Sequence, residues 1–293
     1  MLRLTGKAVW NVNKHLKFQG TIGTDINKMN FEDFIARSTP GVLAGKLTQQ
    51  IFNNNTLNAE LLGLYNNSWG KIDFNATLGG NIYKVDNKTT TITGTDQQMS
   101  DIIAILNYAE QNVMGSTYKK QINSIYGSAS VGFDHTYYLE GTLRGDRSST
   151  LPVSNNTYVY PSVSGSVVFS EFIKNKKVMN YGKFRASWAK VGSDTDPYQL
   201  GLTYTTGKYS YPGYTIAMIN NNTQPNKDLK PTMTSSYELG FELKFFNNRL
   251  GLDLTYYNQT SKDQIIGLAS SSTSGYTSRL INAGKIQNKG VEI

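Results

Sequence analysis

Residues 232–260, TMTSSYELGFELKFFNNRLGLDLTYYNQT, decide the fold of this chain. From Tyr237 to Phe245 every second side chain is apolar, and Glu, Gly and Lys stand between them, which is the pattern of a strand with one apolar face. The alternation resumes at Leu250, after asparagines that tolerate the left-handed backbone of a tight turn. Each arm keeps the pattern for about 10 residues, the length that a tilted strand needs to cross a bilayer. The stretch therefore predicts a long β-hairpin.

The composition agrees with a β-rich membrane protein. Charged residues make up only 17% of the 293 residues, whereas aromatic residues make up 12% and include 19 tyrosines. Soluble domains usually carry more charge, but a membrane β-barrel can have this balance because its residues face lipid and a wet lumen alternately. No apolar run is long enough for a membrane helix. The first residues lack the apolar core of a signal peptide, so we expect an export signal upstream.

Alternating apolar positions predict four further hairpins along the chain. Their short turns lie at residues 13–14, 67–70 and 134–136 and in the lysine-bearing segment 171–180, and residues 288–293 begin an eleventh strand. We expect the segments between the hairpins to be long loops, at residues 27–56, 86–120, 147–156, 192–233 and 261–284. One helix is predicted within them, capped by Ser100 and with apolar residues repeating from Ile102 to Val113.

Short and long connections alternate along the chain, so all long loops emerge on one side. Transmembrane barrels are built in this way. Aromatic residues flank the short turns, as in an interfacial girdle: Trp10, Phe18, Tyr65, Trp69, Phe133, Tyr137, Tyr138, Phe169, Phe172, Phe245 and Phe246. A soluble β-sandwich would also alternate but gives no reason for the loops to share one side. The predicted fold is all-β, a transmembrane antiparallel β-barrel of which residues 1–293 supply about ten strands.

Three blocks of sequence resemble the SusC/RagA family of TonB-dependent outer-membrane transporters of Bacteroidetes. Residues 137–149, YYLEGTLRGDRSS, are similar to a family strand that ends in arginine, any residue, aspartate, glycine and two serines. Arg144, Asp146, Ser148 and Ser149 match this pattern, and Arg147 replaces the usual glycine. The other blocks are residues 160–173 with 183–200, and residues 226–266 with 282–293.

The resemblance implies a barrel of about 22 strands around a plugged lumen. The signal peptide, the plug and the closing strands would lie outside residues 1–293. The resemblance also implies import of oligosaccharide or peptide nutrients across the outer membrane. The barrel would contact the outer-membrane lipid, and no cofactor is expected. The implied partners are a SusD-like lipoprotein lid, and TonB, ExbB and ExbD through the plug. The alternatives are a passive outer-membrane porin and a soluble β-rich carbohydrate-binding or adhesin module.

The sequence offers little for catalysis, metal binding or nucleic acid. The chain has no cysteine, and His15 and His135 belong to different hairpins without metal-ligand spacing. Asp194 and Asp196 could ligate calcium, although aspartates before a proline are more often turn-forming. The tripeptide at residues 144–146 could suggest adhesion, but it lies in the family's strand-end pattern. Lys174, Lys176 and Lys177 fit a solvated turn better than a nucleic-acid site.

Five tyrosines in one long loop are the candidate ligand-binding residues: Tyr198, Tyr204, Tyr209, Tyr211 and Tyr214. A tyrosine ring offers an apolar face to a sugar ring or a peptide side chain and a polar tip for hydrogen bonds. The alternative is that these rings pack the loop against its neighbours or against the lid.

Overall fold

The computed structural model describes residues 1–174, 177–206, 214, 217–219 and 222–293. Its strands are β1 Leu2–Asn11, β2 Leu16–Ile35, β3 Lys46–Trp69, β4 Ile72–Gln97, β5 Tyr108–Phe133, β6 Tyr137–Ser148, β7 Thr157–Val167, β8 Met179–Ser193, β9 Tyr204–Thr206, β10 Ala217–Ile219, β11 Thr223–Gln224, β12 Thr232–Phe245, β13 Leu250–Ala269 and β14 Ser278–Glu292. In the described ranges, every helical piece is too short and too polar to span a membrane.

A twelve-stranded sheet forms a single wall, in the order β1 to β8, then β12, β13, β14 and β11. The long strands pair antiparallel with their neighbours, whereas short β11 runs parallel to β14 at Ser278 and Arg279. Strands β9 and β10 pair separately from the wall. The predicted hairpins and the eleventh strand are therefore confirmed.

The register gives the wall one apolar face and one polar face. Leu78 of β4 lies opposite Gly63 of β3 and opposite Gly127 of β5. Its side chain points to the apolar face of the wall. On β4 this apolar face extends from Ile72 to Ile82 and then gives way to Lys84, Asp86 and Lys88. The length of the apolar stretch matches the roughly 9–11 residues that a tilted strand needs to cross a bilayer.

Beyond the apolar band, strands β2 to β5 continue as a polar sheet. We call these parts the rim segments: residues 27–35 of β2, 46–56 of β3, 83–97 of β4 and 108–121 of β5. The predicted long loops at residues 27–56 and 86–120 are therefore mostly wrong, because Asn53 to Asn55 pair with residues 86–88 in an unbroken ladder. The apolar alternation ends in the rim segments, but the backbone pairing continues.

Two further loop predictions need correction. The helix predicted after Ser100 is absent, and only a single 3₁₀ turn at Ile105–Asn107 precedes β5. The side chain of Asn107 holds this loop by donating to the carbonyls of Met99 and Ile102, both at 2.7 Å, which is the kind of local competition that Asn offers against a helix. The segment 261–284 is mostly strand, since β13 continues to Ala269 and β14 starts at Ser278.

The short turns carry aromatic contacts at the other end of the wall. The rings of Trp10 and Phe18 stack at 5.9 Å, and Tyr137 lies 6.4 Å from Phe133 and 6.0 Å from Phe172. In the β12–β13 turn, Phe246, Asn247 and Asn248 have positive φ angles of 53°, 56° and 64°. The asparagines therefore adopt the left-handed conformation that the sequence predicts for this turn.

A small apolar core lies at the opposite end, beneath the long connections. Leu151, Tyr158 and Leu229 are almost completely buried and pack against partly buried neighbours, which are Tyr160, Leu200, Ile265 and Leu280. These residues come from widely separated parts of the chain, between residues 151 and 280. The core therefore ties the connection after β6 and the segment before β12 to the ends of the strands.

Candidate functional site

The polar face of strands β3 to β7 carries a network of charged and aromatic side chains. Arg144 on β6 donates to Asp146 at 2.9 Å and to the Ser124 hydroxyl at 2.9 Å. Its guanidinium carbon lies 5.2 Å from the centre of the Tyr126 ring, and the Tyr126 hydroxyl donates to Glu60. Alternation places all these residues on one side of the wall, because they come from neighbouring strands in register.

Asp146 links the network to the next strand. It is 6% exposed, and its second oxygen accepts a hydrogen bond of 2.5 Å from the Tyr160 hydroxyl. Arg144 and Asp146 are therefore paired inside the wall, which disfavours the adhesion interpretation of residues 144–146. The same pairing gives a structural reason for the arginine and the aspartate of the strand-end pattern.

At the rim, Asp194 is held by three donors from β5, from β6 and from the connection after β6. The Lys120 ammonium lies 2.6 Å from its carboxylate, and the two side chains are only 17% and 8% exposed. The hydroxyls of Ser148 and Thr150 donate to its other oxygen, from Thr150 at 3.2 Å. We call this set of four residues the rim latch. It fastens the connection after β8 to β5 and β6.

The next residues of the connection are also fixed to β5. The Tyr118 hydroxyl donates to Asp196 at 3.3 Å. Burial, and then the charge of Asp196, raises the pKa of Tyr118 above its ordinary value. Within the described ranges, no three His, Cys, Asp or Glu side chains are placed to hold a metal ion. The donors around Asp194 and Asp196 favour the structural interpretation of these aspartates over a calcium site.

The five candidate tyrosines have different environments. The Tyr198 hydroxyl accepts a hydrogen bond of 3.2 Å from the backbone N–H of Lys119, so this residue anchors the loop. Tyr204 in β9 and Tyr214 are 66% and 72% exposed. Tyr209 and Tyr211 lie outside the described residues. Tyr204 and Tyr214 are therefore mostly exposed, whereas Tyr198 is half exposed and its hydroxyl is bonded to β5.

A polar cavity of about 430 Å³ opens beside the rim latch. Its lining includes Lys120, Asp194 and Asp196 together with Gln264 and Ile265 of β13. The rim latch and the cavity were not found from the sequence. Lys120 and Asp194 are 74 residues apart, and only the strand register shows that they meet. The spacing of Arg144 and Asp146 places both on one face of a strand and is the sequence signal for the network on the polar face. Ser148 and Asp194 also stand out in the sequence, but nothing there shows that they meet.

Curated relatives come from Formosa agariphila. TonB-dependent receptor P26 is 28% identical over 62% of this chain and 19% of its own length. TonB-dependent receptor P3 is 25% identical over 94% of this chain and 28% of its own length. The chain therefore spans less than a third of either relative.

Solved structures share the fold. The RagAB peptide transporter matches 99% of this chain and 33% of its own chain with a TM-score of 0.88 at 20% identity. The copper transporter OprC matches 99% of this chain and 42% of its own with a TM-score of 0.65 at 14% identity. The family described as TonB dependent receptor-like, beta-barrel matches residues 3–293. This strand wall, with its apolar band, polar inner face and latched rim, therefore belongs to the TonB-dependent receptor β-barrel family of the outer membrane.

Proposed function

We propose that the protein imports an oligosaccharide or a peptide across the outer membrane and that TonB drives this import. The observation that supports the proposal best is the wall itself. Its apolar face has the length of a bilayer crossing, its other face carries the polar network around Arg144, and its rim is organised around Asp194. The SusC/RagA resemblance and the shared fold with the RagAB peptide transporter favour this substrate range over a metal chelate.

Genetic removal of TonB tests the driving force. In cells that produce the complete transporter, we expect uptake of a fluorescent peptide or oligosaccharide to stop when tonB is deleted, while the transporter remains in the outer membrane. Uptake that continues by diffusion would instead indicate a passive porin. Recovery of the protein in the aqueous fraction would indicate a soluble β-rich module.

We further propose a SusD-like lipoprotein as the partner above the rim and the loop tyrosines as ligand contacts. Tyr204 and Tyr214 support the second proposal because both side chains are mostly exposed and belong to the connection between β8 and β12. Co-purification of the transporter from its native membrane tests the partner. A transporter that is isolated without any lipoprotein in mild detergent would contradict it.

Replacement of Tyr209, Tyr211 and Tyr214 by alanine tests the tyrosine contacts. We expect uptake to fall about tenfold with normal surface exposure, since each aromatic face contributes about 0.5–1.5 kcal/mol to a stacking contact. The matched control replaces the same residues by phenylalanine, which keeps the rings and should keep most of the uptake. Equal uptake by the alanine variant and the natural protein would contradict the proposal.

A further inference from the structure

The apolar face of the wall, which points outward, carries no charge within the apolar band. At the short-turn end its residues are large and apolar, and they include Trp10, Phe18 and Phe133. On the described strands, every outward position from the short turn to the end of the band is uncharged. A charge on the lipid face of a barrel is costly at the bilayer midplane and far less costly near the interface. The first charges on this face therefore mark where the hydrocarbon ends.

At the opposite edge of the band the outward positions become basic. Lys28 follows Ile26 on β2, and Lys84 follows Ile82 on β4, so the basic residue takes the next outward position in both strands. Other strands also carry exposed basic residues in this zone. We define the basic belt as six of these exposed residues, one each from six strands: Lys28, Lys84, Arg147, Lys190, Lys262 and Lys285.

The directions of the belt side chains follow from the strand register. Asp146 is buried on the polar face, so the exposed Arg147 beside it points outward. The Lys190 ammonium lies 6.0 Å from the centre of the Trp188 ring, and Trp188 is opposite Tyr237 at the end of the band. Aromatic rings and long basic side chains together are typical of the boundary between hydrocarbon and head groups.

Two lysines of the belt face each other directly. Lys262 of β13 is opposite Lys285 of β14 in the ladder, and both side chains are exposed. Neither lysine forms an ion pair with a residue that the structure describes. Like charges directly opposite each other destabilise an antiparallel pair. An anion held between the two ammonium groups would turn this repulsion into attraction.

Neighbouring acids leave the charge of the belt unbalanced. Asp86 shares the outward face of β4 but is already paired with Lys119, at 3.2 Å. Asp263 follows Lys262 at a break in the β13–β14 ladder, where its φ angle is 56°. Its carboxylate forms no ion pair with a described residue. The belt therefore presents an excess of positive charge at the end of the apolar band.

The depth of the belt favours lipid over a protein partner. Lys84 lies roughly 7 Å beyond Ile82 along β4, whereas the strand continues for about 40 Å more to Gln97. A protein above the rim would be far from Lys84, but lipid head groups are next to it. The short turns of outer-membrane barrels face the periplasm, so the belt lies at the outer leaflet. The glycolipid of that leaflet carries its phosphate groups just outside the hydrocarbon.

We propose that the basic belt binds phosphate groups of the outer-leaflet glycolipid and that Lys262 and Lys285 hold one phosphate between them. Arg147 is a second contact, because a guanidinium matches the geometry of a phosphate with two parallel hydrogen bonds. Lipid binding of this kind does not depend on what the transporter imports. Its effect would be to fix the depth of the wall in the bilayer beneath the rim.

Removal of charge at the lysine pair tests the proposal. The complete transporter is purified in mild detergent, and lipopolysaccharide from the same bacterium is titrated into the natural protein and into the double variant Lys262→Gln/Lys285→Gln. The same lipopolysaccharide without its phosphates is the second probe, and inorganic phosphate is the third. Lys262→Arg/Lys285→Arg is a control that keeps the charge. Lys14→Gln/Lys71→Gln is a control that removes the same charge near the short turns.

We expect the glutamine variant to bind lipopolysaccharide about ten- to thirtyfold more weakly, because each basic residue near a membrane surface contributes about fivefold. Both controls should bind it like the natural protein. Removal of the phosphates should weaken binding to the natural protein by a similar factor and make no further difference to the glutamine variant. The glutamine variant should also unfold at the same or a higher temperature in lipid-free detergent, since it loses a repulsion.

Three results would overturn the proposal. The first is equal binding of lipopolysaccharide by the natural protein and a folded glutamine variant, or equal binding of the phosphate-free lipid. The second is inorganic phosphate that binds as tightly as lipopolysaccharide, which would indicate a general anion site. The third is loss of a co-purifying lipoprotein from the glutamine variant with lipopolysaccharide binding unchanged, which would assign the belt to a protein partner.

Discussion

At the residue scale, Gly192 shows how tightly the apolar core at the rim is packed. A Cβ atom at Gly192 would lie 2.3 Å from Cδ2 of the buried Tyr158 ring, whereas a Cβ at Gly20 would meet nothing within 4 Å. We therefore expect Gly192→Ala to cost about 1–3 kcal/mol, the usual cost of overpacking. Gly20→Ala, the control, should be neutral. The unfolding temperature of each variant is measured from the heat-modifiability of the folded transporter on semi-native gels. An equal unfolding temperature for the two variants would contradict the close contact between Gly192 and Tyr158.

The rim latch is the second prediction at this scale. Asp194→Asn removes the carboxylate from a Lys120 ammonium that is mostly buried, so we expect the free energy of local opening to fall by about 1–3 kcal/mol. Amide hydrogen exchange at residues 193–200 should then be roughly ten- to hundredfold faster.

Lys119→Gln is the matched control for the latch. It breaks the 3.2 Å ion pair between Lys119 and Asp86. The Lys119 side chain is 53% exposed and the Asp86 side chain is 31% exposed. Such a pair contributes less than about 1 kcal/mol. If the two variants change hydrogen exchange equally, the connection after β8 is not held by Asp194.

At the element scale, β4 spans two environments along one face. Leu78 lies within the apolar band and Thr90 lies on the same face in the rim segment. We expect Leu78→Arg to destabilise the barrel by about 2–4 kcal/mol, as for a charge near the bilayer midplane, and Thr90→Arg to change stability by less than about 1 kcal/mol.

Urea unfolding of the reconstituted transporter measures both changes on β4. A cost for Thr90→Arg as large as that for Leu78→Arg would mean that the rim segment is inside the bilayer. The contrast between the two positions also explains why the rim segments were predicted as loops. Apolar alternation reports where lipid touches a strand, and it ends where the lipid ends although the strand continues.

At the scale of the whole molecule, the wall is an open sheet. The strand order begins at β1 and ends with β14 and the short β11, which covers only two residues of β14, and β1 pairs with neither of them. Lipid offers no partner for the unpaired backbone groups of β1, and each such group costs several kcal/mol in hydrocarbon. We expect residues 1–293, exported alone, to fail to form a heat-modifiable outer-membrane species. The complete transporter is the control, and a folded, protease-resistant species from residues 1–293 would contradict this prediction.

The sequence by itself determined the strand wall. Alternation from Tyr237 to Phe245 and its counterparts fixed which side chains face lipid, because a strand has a period of two and a bilayer leaves no freedom in that choice. It also placed the short turns, since asparagine and glycine are the residues that tolerate left-handed backbone. The tertiary structure alone decided the rim. Lys120, Ser148 and Asp194 meet only because the register of β5 and β6 brings them together, and polar side chains in water carry no periodic signal that would reveal such a meeting.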